Sequence, residues 1–161
     1  MGYKINVVYY SDPSIPGVTF AYDEHDRLTA MADALGGTLY TYDDADRVKD
    51  YTNALGLKIS YTYDAAGNVS TLTYPDGKAA AYTYDQLNRL KTVTWQGQTA
   101  TYTYDDTGRM TRLVNFNTST VDYGYDTANR LTSLSNKKST GTVIAAYTFT
   151  LDNIPKCNKF L

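Results

Sequence analysis

Apolar and polar residues alternate in short runs along the chain, and each run ends at residues that favour turns. Tyr61 and Tyr63 are typical, because two aromatic residues separated by one polar residue lie on the same face of a strand. A second run, from Val69 to Tyr74, ends at Pro75-Asp76-Gly77, which is a strong turn signal. The pattern predicts an all-β chain in which each unit contains two strands and two turns.

The dipeptide Tyr-Asp marks an internal repeat. Its six copies are spaced by 20, 21, 21, 20 and 21 residues, and they are Tyr22-Asp23, Tyr42-Asp43, Tyr63-Asp64, Tyr84-Asp85, Tyr104-Asp105 and Tyr125-Asp126. A degenerate seventh copy, Leu151-Asp152, follows after 26 residues, and we attribute the extra length to the insertion Lys137-Lys138-Ser139-Thr140-Gly141. The period predicts six repeats and a degenerate one over residues 18–152. An N-terminal edge strand and turn (1–17) and an irregular C-terminal tail (153–161) flank them.

Each Tyr-Asp pair opens a turn with a fixed pattern. Three residues after each Asp stands a residue that tolerates a left-handed backbone: Asp26, Asp46, Gly67, Asn88, Gly108 or Asn129. The next position holds Arg in every copy except that of Asn68. We predict a type I turn followed by a left-handed residue with a G1 bulge, in which the Asp caps the turn backbone. The Arg lies just across this turn, so we expect it to pair with the Asp.

One detail conflicts with regular strands. Val69 and Leu72 are three residues apart and therefore have opposite parity in a strand, which requires either a bulge or burial on both faces. The residues to which we assign a structural role in the repeated motif are Tyr22, Asp23, Arg27, Tyr42, Asp43, Arg47, Tyr63, Asp64, Gly67, Tyr84, Asp85, Arg89, Tyr104, Asp105, Gly108, Arg109, Tyr125, Asp126 and Arg130.

Composition supports strands and excludes several functions. The 24 Thr and 17 Tyr make a quarter of the 161 residues and favour strands, whereas 16 Asp against the single Glu24 disfavour helix. The net charge of -2, with basic residues spread along the chain, gives no footprint for nucleic acid. We expect no membrane span and find no signal peptide in this chain. With one cysteine (Cys157) and one histidine (His25), we expect no disulfide, metal site, cofactor or catalytic triad, and so no enzyme.

The pattern Tyr-Thr-Tyr-Asp-x-x-Gly/Asn-Arg-Leu closely resembles the YD repeat of Rhs (rearrangement hot spot) proteins. It stands here as Tyr82 to Leu90 and again as Tyr102 to Met110, and the resemblance covers about residues 18 to 152. The same repeat occurs in insecticidal toxin complexes, wall-associated bacterial toxins and animal teneurins. In that family the repeats join into a long antiparallel ribbon of β-hairpins, which spirals into a hollow shell that encloses a toxic C-terminal domain.

The resemblance implies a structural, encapsulating role for a bacterial protein that is secreted or delivered to a cell surface. Its partners would be a toxin domain or the remaining shell of a larger Rhs protein. Roughly 13 strands at about 4.8 Å each span on the order of 60 Å, less than the girth of a domain of about 100 residues. We therefore expect an excised or truncated piece, a partial turn of the spiral that is too short to enclose a guest alone.

Other interpretations remain open at the level of sequence. The repeated Asp could act as an acid, base or metal ligand, although one turn explains all copies, and the repeated Arg could bind an anionic ligand. The tyrosines could stack on sugars, as in cell-wall glycan-binding hairpin repeats, but those usually carry Trp in every copy and this chain has only Trp95. An immunity-like partner beside a toxin is a third possibility.

The two ends of such a ribbon predict self-association. Edge strands near Ile5 to Tyr10 and near Val143 to Thr150 are rich in apolar β-formers, including Val7, Val8, Tyr9 and Tyr10 at one end. Ile144, Tyr147 and Phe149 lie at the other. Uncovered edges template pairing with another chain. We expect other copies of this chain as partners through the open sheet edges.

Overall fold

A computed structural model describes residues 4–7 and 17–150 of the chain. They form one sheet of fourteen strands in sequence order, with antiparallel pairing: β1 (Lys4–Val7), β2 (Val18–Tyr22), β3 (Leu28–Asp33), β4 (Gly36–Tyr42), β5 (Val48–Thr52), β6 (Lys58–Tyr63), β7 (Val69–Thr73), β8 (Ala79–Tyr84), β9 (Leu90–Trp95), β10 (Gln98–Tyr104), β11 (Met110–Val114), β12 (Thr120–Tyr125), β13 (Leu131–Lys137) and β14 (Val143–Thr148). The predicted all-β ribbon of consecutive hairpins is confirmed. Within these ranges there is no helix, and hence none long and apolar enough to cross a membrane.

The chain divides into two compact units, residues 1–82 and 83–161, with the division inside β8. In the first unit β1 to β8 pair in succession. In the second unit β9 to β14 do the same. Of the predicted segments, the tail 153–161 lies outside the described residues, as do Val8, Tyr9 and Tyr10.

A bulge resolves the parity conflict between Val69 and Leu72. Tyr63 of β6 pairs with Val69, and Tyr61 pairs with Leu72, because the register shifts by one residue at Ser70. Val69 and Leu72 therefore share the face of the two tyrosines. The same one-residue shift follows the Tyr-Asp turn at Thr29, Lys49, Thr111 and Thr132.

The two faces of the sheet differ in chemistry. One face, which we call the aromatic face, carries the tyrosines and the aliphatic residues that pair with them, such as Tyr61, Tyr63 and Leu72. The opposite face carries hydroxyl and charged side chains, such as Thr62 and its partner Thr71. Among the described residues only Ala80 and Ala100 are buried, each 4% exposed. The rings of the aromatic face are half-buried within a single layer of sheet.

The second turn of each repeat varies in length. Two-residue turns at 34–35 and 96–97 fall within the two 20-residue periods. Longer turns, closed by backbone bonds such as Asn53 N–H to Leu57 C=O (3.0 Å), fall within the 21-residue periods. The predicted insertion at Lys137 to Gly141 is wrong as a loop, because residues 138–142 form the same closed turn. Long strands β13 and β14 accompany it and take up extra length.

Candidate functional site: the repeated tyrosine, aspartate and arginine turn

The Tyr-Asp turn has one geometry throughout the described repeats. In the third copy the Gly67 N–H donates to the Asp64 carbonyl at 3.1 Å, and the Asp64 N–H donates to the Asn68 carbonyl at 2.9 Å. This is a three-residue hairpin loop closed by a type I turn and a left-handed residue. The left-handed position has positive φ in all six copies: Asp26 (58°), Asp46 (61°), Gly67 (90°), Asn88 (59°), Gly108 (87°) and Asn129 (63°). The turn predicted from the sequence is confirmed.

The aspartate uses both carboxylate oxygens to hold this turn. Asp43 Oδ1 accepts the backbone N–H groups of Ala45 and Arg47, each at 3.0 Å, and its Oδ2 accepts Nε–H of Arg47 at 2.8 Å. The same Nε to Oδ2 bond joins the other arginine copies: Arg27–Asp23 (2.8 Å), Arg89–Asp85 (2.6 Å), Arg109–Asp105 (2.7 Å) and Arg130–Asp126 (2.7 Å). In the third copy the Asn68 amide donates to Asp64 at 3.1 Å instead.

These hydrogen bonds favour the ionised carboxylates. The Arg47 side chain and backbone hold the pKa of Asp43 below its usual value. The backbone N–H of Arg89, followed by its side chain, likewise lowers the pKa of Asp85. In the third copy the neutral Asn68 amide is the first cause of the lowered pKa of Asp64. The carboxylates are therefore committed anions, which suits a turn cap and not a general acid.

Each arginine also reaches the next repeat. The Arg47 guanidinium lies 4.3 Å from the centre of the Tyr63 ring, which belongs to the following Tyr-Asp pair. The same stacking joins Arg27 to Tyr42 (4.5 Å), Arg89 to Tyr104 (4.6 Å) and Arg109 to Tyr125 (4.8 Å). A guanidinium over an aromatic face is attracted by the ring quadrupole. One arginine thus closes its own turn and contacts the next one.

The tyrosine hydroxyl completes this link between repeats. Tyr63 donates to the carbonyl of Val48, the residue that follows Arg47, at 2.6 Å. Equivalent bonds run from Tyr42 to Leu28 (2.7 Å), from Tyr104 to Leu90 (2.9 Å) and from Tyr125 to Met110 (3.0 Å). Partial burial raises the pKa of Tyr63. We call the stacked arginine, the tyrosine and its hydroxyl bond the inter-repeat clamp.

The residue at positive φ adds to the clamp in some copies. Arg109 Nη1 donates to the Asn129 side chain at 2.9 Å and to the Asp126 carbonyl at 3.1 Å. Arg27 forms an ion pair with Asp46 at the corresponding position. A Cβ built on Gly67 would lie 3.9 Å from Arg47 Nη1, so a side chain at that position faces the preceding arginine.

Sequence reasoning missed the inter-repeat contacts. It paired each Arg with the Asp of its own turn and gave the tyrosines a packing role. The missing signal is a second spacing: the stacked pairs Arg27–Tyr42 and Arg89–Tyr104 are 15 residues apart, and Arg47–Tyr63 and Arg109–Tyr125 are 16 apart. That spacing follows the turn length on the opposite side of the sheet. Tyr22, in the first copy, pairs with Leu28 across its own hairpin.

The described surface contains shallow depressions and no catalytic cluster. Depressions of about 300 and 450 Å³ lie beside the second and fourth Tyr-Asp turns, and a third of about 280 Å³ contains Arg112 and Asp122. No group of three or more metal-ligating side chains occurs in the described ranges. His25 lies in the first turn, where its backbone N–H donates to Asp23. The site is suited to joining repeats.

Comparisons with known proteins agree with this architecture. The family profile described as RHS Repeat matches residues 22–56 and 42–79. A crystal structure of TcdB2-TccC3-Cdc42 is 21% identical over 75% of this chain and 7% of its own, with a TM-score of 0.65. A structure of TcdB2-TccC3 without its hypervariable C-terminal region is 17% identical over 94% of this chain and 10% of its own, also with a TM-score of 0.65. Comparison with curated proteins finds no significant match. The structural likeness shows the fold, and this chain spans a tenth or less of those chains.

Proposed function

The chain is an RHS-repeat protein, and from this premise we propose that it is a segment of the wall of an RHS/YD-repeat shell, without enzymatic activity. Within a complete shell the segment would contribute to enclosing a toxin domain. By itself it is too short to enclose one. The chemistry of the repeat, described next, supports a wall more strongly than it supports a reaction.

The observation that carries this proposal is the inter-repeat clamp. The side chains with chemical potential, namely the Asp, Arg and Tyr of the motif, are used in holding a turn or in joining one repeat to the next. Asp105, for example, receives Arg109, whose guanidinium lies over Tyr125. Nearest-neighbour contacts of this kind let a repeat array extend to any length. Extension by identical joints is what a wall requires.

The guest belongs to the larger assembly in this proposal. The matched structures have chains at least ten times as long as the share that this chain covers. One of them is described as lacking a hypervariable C-terminal region, which we take as the counterpart of the enclosed domain. We further propose that this chain joins other copies, or the remaining shell, through the open edges of its sheet.

An in-phase deletion tests the wall proposal. Removal of the 20 residues 85–104 joins Tyr84 directly to Asp105 and restores an intact Tyr-Asp turn. We expect this variant to keep its β-sheet circular dichroism per residue and to unfold cooperatively. Removal of only residues 85–94 is the control, because it joins Tyr84 to Trp95 and breaks the alternation of strands. Loss of structure in both variants would contradict a modular wall.

Glycan binding is a second candidate, and one depression favours it. The second-repeat depression of about 300 Å³ is lined by Tyr42, Tyr61 and Tyr63, with Asp44 and Lys49 at its edge. Aromatic faces beside polar groups are suited to sugars. Calorimetric titration with soluble cell-wall glycan fragments tests this candidate. Binding heat that disappears in Tyr61→Ala would support it, and absence of heat at millimolar glycan would reject it.

A further inference from the structure

Two kinds of strand alternate in the described sheet. Aromatic strands end at a Tyr-Asp turn, and they are β2, β4, β6, β8, β10 and β12. Aliphatic strands follow that turn, and they are β3, β5, β7, β9, β11 and β13. β14 follows β13 through a second turn and therefore occupies an aromatic position, with Tyr147 opposite Leu134. β1 precedes β2 on the second-turn side, where Val7 pairs with Val18, and so occupies an aliphatic position.

The sheet consequently begins with one kind of strand and ends with the other. β14 is the more exposed of the two strands of its hairpin: Val143, Ile144 and Tyr147 are 53%, 60% and 54% exposed. Every residue of β13, by contrast, is at least half-buried. The free side of β14 is thus an edge to which a further strand can be added.

The backbone direction along β14 identifies the groups that an added strand would meet. The Phe149 N–H donates to the Thr132 carbonyl at 2.8 Å, which points it towards β13. Bonded and non-bonded pairs alternate in an antiparallel ladder. Thr148, opposite Ser133, and Ala146, opposite Ser135, therefore direct their N–H and C=O groups away from β13. These two residues present the hydrogen-bonding groups of the open edge.

We propose that β14 of one copy pairs antiparallel with β1 of a second copy, so that the chain assembles head to tail. The proposal rests on the open edges named under the proposed function. An aliphatic strand is the partner that every aromatic strand from β2 to β12 has after its Tyr-Asp turn. Pairing β14 with β14, or β1 with β1, would place two strands of one kind side by side, which occurs nowhere in the described sheet. Unlike edges make a heterologous joint, which closes only if its rotation forms a ring.

A proline substitution tests the joint. Ala146→Pro removes an N–H on the open side only, and edge strands tolerate proline where that group faces solvent. We expect the wild-type protein to exceed its monomer mass of 17.9 kDa at micromolar concentration in sedimentation velocity, and Ala146→Pro to remain a folded monomer. Thr148→Pro acts on the same row and provides a second variant. Ala65→Pro is the matched control, because it substitutes the second residue of a type I turn, where proline is favoured.

Mixing the variant with wild type determines which edges pair. A fluorescently labelled Ala146→Pro copy keeps its β1 edge, so head-to-tail pairing predicts that it binds wild-type copies and shortens their assemblies. If it neither self-associates nor binds wild type, β14 pairs with β14 and the proposal is wrong. If it still forms dimers alone, the joint lies elsewhere and the proposal is also wrong. Wild type that stays monomeric at all concentrations would overturn this inference without affecting the wall proposal, which the in-phase deletion tests.

Discussion

Removing the tyrosine hydroxyl from one inter-repeat clamp measures the strength of the link between repeats. Tyr63→Phe deletes the 2.6 Å bond to the Val48 carbonyl but keeps a ring under the Arg47 guanidinium. A net intramolecular hydrogen bond contributes about 1 kcal/mol to the free energy of unfolding. For a chain of this size that corresponds to a fall of about 2–4 °C in thermal midpoint.

Tyr61→Phe is the matched control. Tyr61 lies two residues earlier on the same face of β6, and its hydroxyl has no hydrogen bond within the described part of the chain. We expect its free energy of unfolding to change by less than about 0.5 kcal/mol. Urea unfolding monitored by circular dichroism gives both values. Equal losses in the two variants would refute the clamp as a source of stability, because the only difference between them is the bond to Val48.

Three further predictions follow from the turns. Gly67→Val, with φ of 90°, should lower the free energy of unfolding by about 1–2 kcal/mol or more, whereas Gly67→Asn should be mild; equal urea midpoints for Val and wild type would contradict this. Gly36→Ala should destabilise because its Cβ would lie 2.5 Å from the Ala54 Cβ, and Ala54→Gly should restore part of the thermal midpoint. Stability should fall as the pH drops below about 4, because the pKa values of Asp43 and Asp85 are lower in the folded than in the unfolded chain, which binds protons first. A flat urea midpoint between pH 5 and pH 2 would contradict the last prediction.

The sequence predicts the sheet and the Tyr-Asp turn well because both are encoded locally. The period of 20 or 21 residues specifies consecutive antiparallel strands, and the residue types at Asp46, Gly67 and Asn129 specify positive φ. The opposite parity of Val69 and Leu72 left two explanations, and the register selects the bulge. Each of these features depends on residues fewer than ten positions apart.

Contacts between repeats were harder to predict because they depend on the registers of two hairpins at once. Arg47 meets Tyr63 only after β5, a second turn and β6 have brought them together. The turn at 115–119 was also missed, because the residue at positive φ is Thr118 and not Gly or Asn. Burial was overestimated, since a periodic aromatic stripe usually indicates a core, whereas here it coats one face of a single layer. Whether the motif residues act in a shell stays a prediction.

The unequal second turns make this protein a natural scaffold for grafting. The Tyr-Asp turns keep one length because an Asp, an Arg and the next Tyr must meet there, whereas the opposite side accommodates two-residue turns at 34–35 and 96–97 and longer ones at 53–57 and 138–142. Length there changes only the spacing between repeats, as the periods of 20 and 21 residues record. Foreign peptides spliced into the 138–142 turn would therefore be displayed from one margin of the ribbon, while the margin that joins the repeats stays intact.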